Sequence, residues 1–181
     1  MKYLVISDIH GACEALRQVL SWKEKMGAQH ILLLGDLLYH GPRNPLPVPY
    51  GPMEVAAQLN AIKEELTAVR GNCDAEVDQM VLEFPIMADF KTLRLDNDQK
   101  VILTHGHLNE YQMGLAPGAA VLSGHTHVAT AYKDDEGIYR CNPGSASMPK
   151  AELPASFGVL DENGFCVYSL EGEKLLSVDF N

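Results

Sequence analysis

Seven side chains with oxygen or nitrogen donors fall at matching local positions in the first 127 residues: Asp8 and His10, Asp36, Asn72, His105, and His125 with His127. None of them is a Lys or a Ser. A Ser-His-Asp hydrolase would need a placed nucleophile, and no G-x-S-x-G elbow is present. A phosphate-cradling P-loop would need G-x-x-x-x-G-K-[ST], which is also missing. What remains is a mixed carboxylate, amide and imidazole set, which is metal chemistry. One divalent ion rarely takes seven ligands, whereas two ions sharing one carboxylate would use them all. Two metals about 3.5–4 Å apart clamp the attacking and leaving oxygens of a phosphoryl displacement, and a water between them ionises near neutral pH to become the nucleophile. Mixed nitrogen and oxygen ligands favour Mn, Fe, Co, Ni or Zn over Ca or Mg. The lack of thiolate ligands argues against a structural zinc site.

Each donor follows a short apolar run. Tyr3-Leu4-Val5-Ile6 precedes Asp8, Ile31-Leu32-Leu33-Leu34 precedes Asp36, and Leu66-Thr67-Ala68-Val69 precedes Asn72. Val101-Ile102-Leu103 precedes His105, and Ala120-Val121-Leu122 precedes His125. Continuous apolar runs of this length read as strands buried on both faces, as in parallel sheets. In open α/β sheets, ligands bind beyond the carboxyl ends of the strands. A lone Asp-x-His or Gly-Asp is often a plain turn; five such events in order are not.

Between the runs, helical spacing predicts helices over 12–26 (Leu16, Val19, Leu20, Trp22), over 52–65 (Val55, Ala56, Leu59, Ile62) and, shorter, over 74–82. Pro52 stands near the first turn of the second, a favoured position. The resulting strand–helix–strand alternation implies βαβ crossovers. The segment 41–52 carries five prolines and reads as a rigid loop. After residue 128 the runs 138–141, 156–160 and 165–170 predict antiparallel strands, with Asn163-Gly164 as a hairpin turn. No linker separates this third, so 1–181 is expected to form a single domain.

Hydrophobic residues make up 46% and charged residues 21% of the 181, an ordinary globular balance that excludes disorder. No run of 18 apolar residues exists, and the apolar stretch at the N-terminus is too short for a signal peptide, so a cytoplasmic protein is expected. The net charge of −10, without any Lys/Arg cluster, opposes binding to duplex nucleic acid or an anionic membrane. The four cysteines have no C-x-x-C spacing; Cys13, Cys141 and Cys166 read as packing residues and His30 as a solvated loop residue.

The ordered motifs Asp8-Ile9-His10, Gly35-Asp36, Gly71-Asn72-Cys73-Asp74, Thr104-His105-Gly106 and Gly124-His125-Thr126-His127 resemble the calcineurin-like metallophosphoesterase superfamily. His40-Gly41-Pro42-Arg43-Asn44 and Asn142-Pro143-Gly144-Ser145 resemble its small bacterial phosphodiesterase branch, over nearly the whole chain. The resemblance implies an α/β fold, a four-layer αββα sandwich of two mixed β-sheets flanked by helices. It implies that Asp8, His10 and His127 hold one metal, that Asn72, His105 and His125 hold a second, and that Asp36 bridges them. Mn2+ is the first choice of ion. The implied reaction is hydrolysis of small phosphodiesters by the bridging hydroxide. A phosphomonoesterase, a pyrophosphohydrolase, or a protein-binding scaffold on the same fold (as in a retromer subunit) are the rivals.

One position departs from many superfamily members, which carry His where this chain has Cys73. A thiol is a poor substitute for imidazole as an acid, so weak assistance to the leaving group is expected and rates should fall steeply as leaving-group pKa rises. Arg70 and Arg43 are candidate phosphate contacts, since a guanidinium binds two phosphate oxygens at once. The alternative for Arg70 is a salt bridge to Asp74. His40 either touches substrate or braces the proline loop. Asp74 and His107 are candidates for orienting the ligating imidazoles. The late antiparallel segment leaves edges through which a homo-oligomer could form.

Overall fold

The computed structural model describes residues 1–180. The first strands are β1 (Tyr3–Ile6), β2 (His30–Leu33) and β3 (Leu66–Ala68), with β2 parallel to both β1 and β3; His30 is thus no loop residue but opens β2 in register with Tyr3. Antiparallel strands β9 (Ser156–Asp161), β10 (Gly164–Ser169) and β11 (Lys174–Asp179) extend them from the free edge of β1, giving the order β11-β10-β9-β1-β2-β3. A second sheet has the order β4-β5-β6-β8-β7, with β4 (Phe90–Arg94), β5 (Lys100–Thr104), β6 (Ala120–Leu122), β7 (Thr130–Lys133) and β8 (Tyr139–Asn142). Both sheets are mixed, as expected. The five donor-bearing strands are thus divided, three in one sheet and two in the other.

This stacking explains why the short strands are apolar throughout. In β1, Leu4 and Ile6 join a core with Leu16, Val19, Val55 and Leu59 of the helices α1 (Cys13–Leu20) and α3 (Pro52–Asn60). Tyr3 and Val5 point the other way, into a core between the sheets with Val101, Leu103, Leu122 and Tyr139. Alternate side chains of a strand face opposite sides, so a strand between two cores needs apolar residues at every position. Each fully buried Val, Leu or Ile contributes about 1.5–3 kcal/mol. A 3-10 turn, Glu110–Gln112, is tied to β8 of the second sheet by an ion pair in which Arg140 Nη1 donates to both Glu110 carboxylate oxygens (2.8 and 2.9 Å).

The helices are shorter than their periodicity suggests. The 12–26 stretch breaks at Ser21, whose hydroxyl donates to the Gln18 carbonyl (2.7 Å), and resumes as the single turn α2 (Trp22–Lys25); such back-bonding bends helices. The 52–65 stretch is α-helical only to Asn60, whose side-chain amide is drawn to the Val81 carbonyl (2.9 Å) and the Glu83 N–H (2.8 Å), and it closes in a 3-10 turn over Lys63–Glu65. In the 74–82 stretch one turn survives, α4 (Glu76–Gln79). The late hairpin turns through Glu162-Asn163, and Gly164 already pairs with Asp161. The last third is antiparallel except that β8 runs parallel to β6, and it is shared between both sheets. Among the described residues no helix is long and apolar enough to cross a membrane.

Candidate active site

The loops after β1, β2, β3, β5 and β6 meet at one end of the stacked sheets. Five of their residues have left-handed backbones: Asp8 (φ 54°), His10 (50°), Asp36 (55°), His125 (64°) and His127 (60°). Such positions cost about 1–3 kcal/mol each unless the surroundings over-determine them, and they cluster at functional sites. The surroundings here do so. His10 N–H donates to the Asp36 carbonyl (2.9 Å), Asp8 N–H to the Gly35 carbonyl (3.1 Å), and Gly124 N–H to the His105 carbonyl (3.0 Å). The hydroxyls of Ser145 (2.8 Å) and Ser147 (3.0 Å) both donate to the Asp8 carbonyl. Glycine is required where loops touch: a Cβ on Gly71 would collide with Asp36, and one on Gly124 with Ser7 and Asp8.

The side chains are aimed as carefully as the backbone. His10, His105 and His127 each commit Nδ1 to a carbonyl, of Tyr39 (2.8 Å), Leu34 (2.7 Å) and Met148 (2.7 Å) respectively. An imidazole that donates from Nδ1 presents Nε2 as its ligand atom. Asp8 Oδ2 accepts from Ser7 Oγ (2.6 Å) and from the His125 N–H (3.0 Å). Its Oδ1 is buried and accepts no hydrogen bond, with His127 Nε2 at 3.2 Å and His10 Nε2 at 3.6 Å. Asp36 Oδ2 stands 3.6 Å from His10 Nε2 and 3.4 Å from His105 Nε2. Asn72 Oδ1 lies 3.1 Å from His105 Nε2 and 2.7 Å from His125 Nδ1. All seven predicted donors are brought together, and the oriented Nε2 atoms and the orphaned Asp8 oxygen fit divalent cations.

Burial alone would raise Asp8, but the His10 and His127 rings that face it and the nearby charge of His105 hold it far below the usual carboxylate range. Asp36 is held low in the same way, its burial outweighed by His105. His105 resists its burial because Asp36 and Asp8 face it, and it is pushed up to about 9. His10 is also raised, by Asp8, the Tyr39 carbonyl and Asp36 against its burial. His125 is lowered by burial and by the charge of His105. Protons on imidazoles therefore stand where cations would balance the two carboxylates.

The remaining candidates separate clearly. The Cys73 thiol groups with His10 and Asp36, and burial together with the charge of Asp36 pushes it up to about 12. Arg43 lines a cavity of about 770 Å³ with Asp36, Asn72, Cys73, His125 and His127. Arg70 and His40 do not line it. Arg70 donates from Nε to the Asp74 carbonyl (3.3 Å), with no salt bridge to that carboxylate. The His40 ring meets Tyr39 and Tyr50 edge-on, at 4.7 and 5.4 Å between centroids, as a brace of the proline loop would. His107 packs edge-on against His105 at 5.3 Å.

Asp74 orients backbone and not an imidazole. Its Oδ2 accepts from the N–H groups of Asp36 (2.8 Å) and Gly71 (2.7 Å), and its Oδ1 from Leu37 (2.8 Å). The sequence motifs assigned no role to Ser145 and overlooked Ser7, Ser147 and Lys150, the last of which also lines the cavity. The Asn142-Pro143-Gly144-Ser145 motif was the available signal. Asn142 donates to the Gly124 carbonyl (2.8 Å), so this motif braces two of the donor loops.

Carboxylates, imidazoles and an amide gathered at the strand ends of two stacked mixed sheets define a metallohydrolase-type site on an α/β sandwich. The chain belongs to the calcineurin-like phosphoesterase superfamily: residues 1–164 match that family's domain. It is 44% identical over 179 residues to the phosphodiesterase YfcE of Escherichia coli K12, covering 98% of this chain and 96% of the relative. The solved structure of the E. coli phosphoesterase YfcE superposes with a TM-score of 0.94 at 43% identity, over 100% of both chains. Vps29 of Chaetomium thermophilum shares the fold at a TM-score of 0.62 and 16% identity, over 100% of this chain and 98% of that one.

Proposed function

We propose that this chain hydrolyses small phosphodiesters through a site that holds two divalent metal ions. The observation that carries the reading is Asp36 Oδ2, placed between His10 Nε2 (3.6 Å) and His105 Nε2 (3.4 Å), one carboxylate oxygen reaching two donor groups. Asp8, His10 and His127 would hold one ion, Asn72, His105 and His125 the other, and Asp36 both. When bound, the pair would supply Lewis acidity at the phosphoryl oxygens and would activate a water as the nucleophile. Mn2+ suits this donor set, and Fe, Co, Ni and Zn are the alternatives.

The chain's own groups hold that arrangement and exclude competing ones. Three imidazoles are locked with Nδ1 on carbonyls, and Ser7 with the His125 N–H turns Asp8 so that Oδ1 faces inward. In the metal-free protein burial and the charge of Asp36 push the Cys73 thiol up to about 12, far from the working pH near which an effective acid titrates, so it gives a departing alkoxide little help. That favours esters with good leaving groups. The choice of diester over monoester follows the 44% identical relative that is named a phosphodiesterase. The acid excess favours small substrates over duplex nucleic acid. Because both sheets contribute donors, 1–181 acts as a single domain.

The test is hydrolysis of bis(p-nitrophenyl) phosphate against p-nitrophenyl phosphate, with metal content measured alongside. Chelation should abolish the diester activity and Mn2+ restore it. Asp36→Asn should lower turnover more than about a hundredfold with the circular dichroism spectrum retained. Near-wild-type turnover would overturn the shared-carboxylate role. A higher rate on the monoester would make the chain a monoesterase, and no activity with no bound metal would leave a scaffold.

A further inference from the structure

Fourteen Lys and Arg face twenty-four Asp and Glu in this chain. Among the described residues, most of the cations are paired. Lys2, Arg17, Lys23, Lys63 and Arg140 meet carboxylates. Arg70, Arg94 and Lys100 meet carbonyls, and Lys25 and Lys133 meet aromatic rings. Four side chains have no partner: Arg43, Lys91, Lys150 and Lys174. Two of those four, Arg43 and Lys150, line the same cavity that holds the metal-site donors.

Both stand on loops whose backbones are fastened. Arg43 lies in the proline-rich segment, where the Asn44 amide donates to the His40 carbonyl (2.9 Å) and the Asn44 N–H to the Gly41 carbonyl (3.4 Å). Lys150 N–H donates to the His127 carbonyl (3.0 Å), and two consecutive left-handed residues follow it, Ala151 (φ 59°) and Glu152 (φ 61°). The cavity, at about 770 Å³, has room for far more than one phosphoryl group. Tyr39, Pro42 and Ala75 give it a partly apolar wall.

We infer that Arg43 and Lys150 form a second-anion subsite, so that the preferred substrates are phosphodiesters carrying a further phosphoryl group on one arm. A fork-shaped guanidinium and a point-charge ammonium on one cavity wall suit a phosphoryl dianion. The inference rests on the phosphodiesterase reading and deepens it. Lys150 thereby becomes a specificity-determining residue.

The test compares two chromogenic diesters on the Mn2+-loaded protein: thymidine 5′-(p-nitrophenyl phosphate) and the same compound bearing a 3′-phosphate. They share the scissile bond and leaving group and differ by one phosphoryl dianion. The wild type should prefer the 3′-phosphorylated ester by about tenfold in kcat/KM, carried by KM, since each exposed contact is worth roughly threefold. Lys150→Gln and Arg43→Gln should each cut that ratio about threefold, and the double variant should erase it. Calorimetry should find thymidine 3′,5′-bisphosphate binding tighter than thymidine 5′-phosphate by a similar factor, which added salt reduces. Equal rates on the two esters, or a preference that survives in the double variant, would overturn the subsite. Failure to cleave bis(p-nitrophenyl) phosphate would instead strike the phosphodiesterase reading, and the calorimetric ratio would then decide the subsite alone.

Discussion

Asp74 is 2% exposed and accepts three backbone N–H groups, from Asp36, Leu37 and Gly71. It therefore welds the loop after β2 to the loop after β3, which carry Asp36 and Asn72. In Asp74→Asn the single carbonyl oxygen can take the Oδ2 place and keep Asp36 and Gly71. The new amide then faces the Leu37 N–H, donor against donor. One buried donor loses its partner, at about 1–3 kcal/mol, and two remaining bonds lose their charge assistance, at about 1 kcal/mol each. Burial and the nearby charge of Asp36 raise the Asp74 carboxyl in the native protein, so relief of that charge offsets part of the loss. A net cost of about 2–4 kcal/mol follows, or roughly 5–15 °C in Tm for a chain of this size. Asp74→Ala, with three stranded donors, should cost more. Thermal unfolding of the metal-free proteins measures the loss, and Mn2+ titration should find weaker binding although no donor was altered. An Asp74→Asn variant that melts within a degree of the wild type and binds Mn2+ equally would refute the weld.

The metal-free protein should be pH-sensitive in a definite direction. His105, raised from 6.5 to about 9, and His10, also raised, contribute stability that is complete below about pH 6.5 and disappears as pH climbs through 9. Asp8 and Asp36, held low, contribute stability that is lost in acid below about pH 4. For His105 the change corresponds to about 3 kcal/mol, so the metal-free Tm should drop between pH 7 and 9.5, and Mn2+ should flatten that arm; a metal-free Tm that climbs with pH would contradict the ion-pair description. Aryl phosphodiesters should show rates that fall steeply with leaving-group pKa, and Cys73→His should flatten that slope; equal slopes would show that position 73 supplies no proton in either form. Gly71→Ala should cost about 1–3 kcal/mol and most of the activity, because its Cβ would press on Asp36; unchanged turnover would mean that the two loops can separate freely.

Much of the site was legible in the amino-acid sequence. Asp8, His10, Asp36, Asn72, His105, His125 and His127 stand directly after apolar runs, and a strand that must be buried on both faces announces itself by composition. The half-exposed strands β4, β7 and β11 carry mixed patterns and made no such announcement. Helix ends were illegible for a related reason. At Ser21 a local hydroxyl competes with the helix, and at Asn60 a side chain is drawn away to Val81 and Glu83, partners remote in the chain.

Sequence by itself determined which atoms could bind a cation, because donor type is a property of the residue. It also determined that these atoms sit at strand ends, because alternation and its absence are local. Tertiary structure alone decided that the five strands split between two sheets, since pairing is settled by long-range burial. It alone decided that Asp36 stands between two imidazole groups, that Asp74 holds backbone and no imidazole, and that Lys150 reaches the cavity. Each of those facts is a distance between residues tens of positions apart, set by how two cores close around one another and carried by no short stretch of the chain.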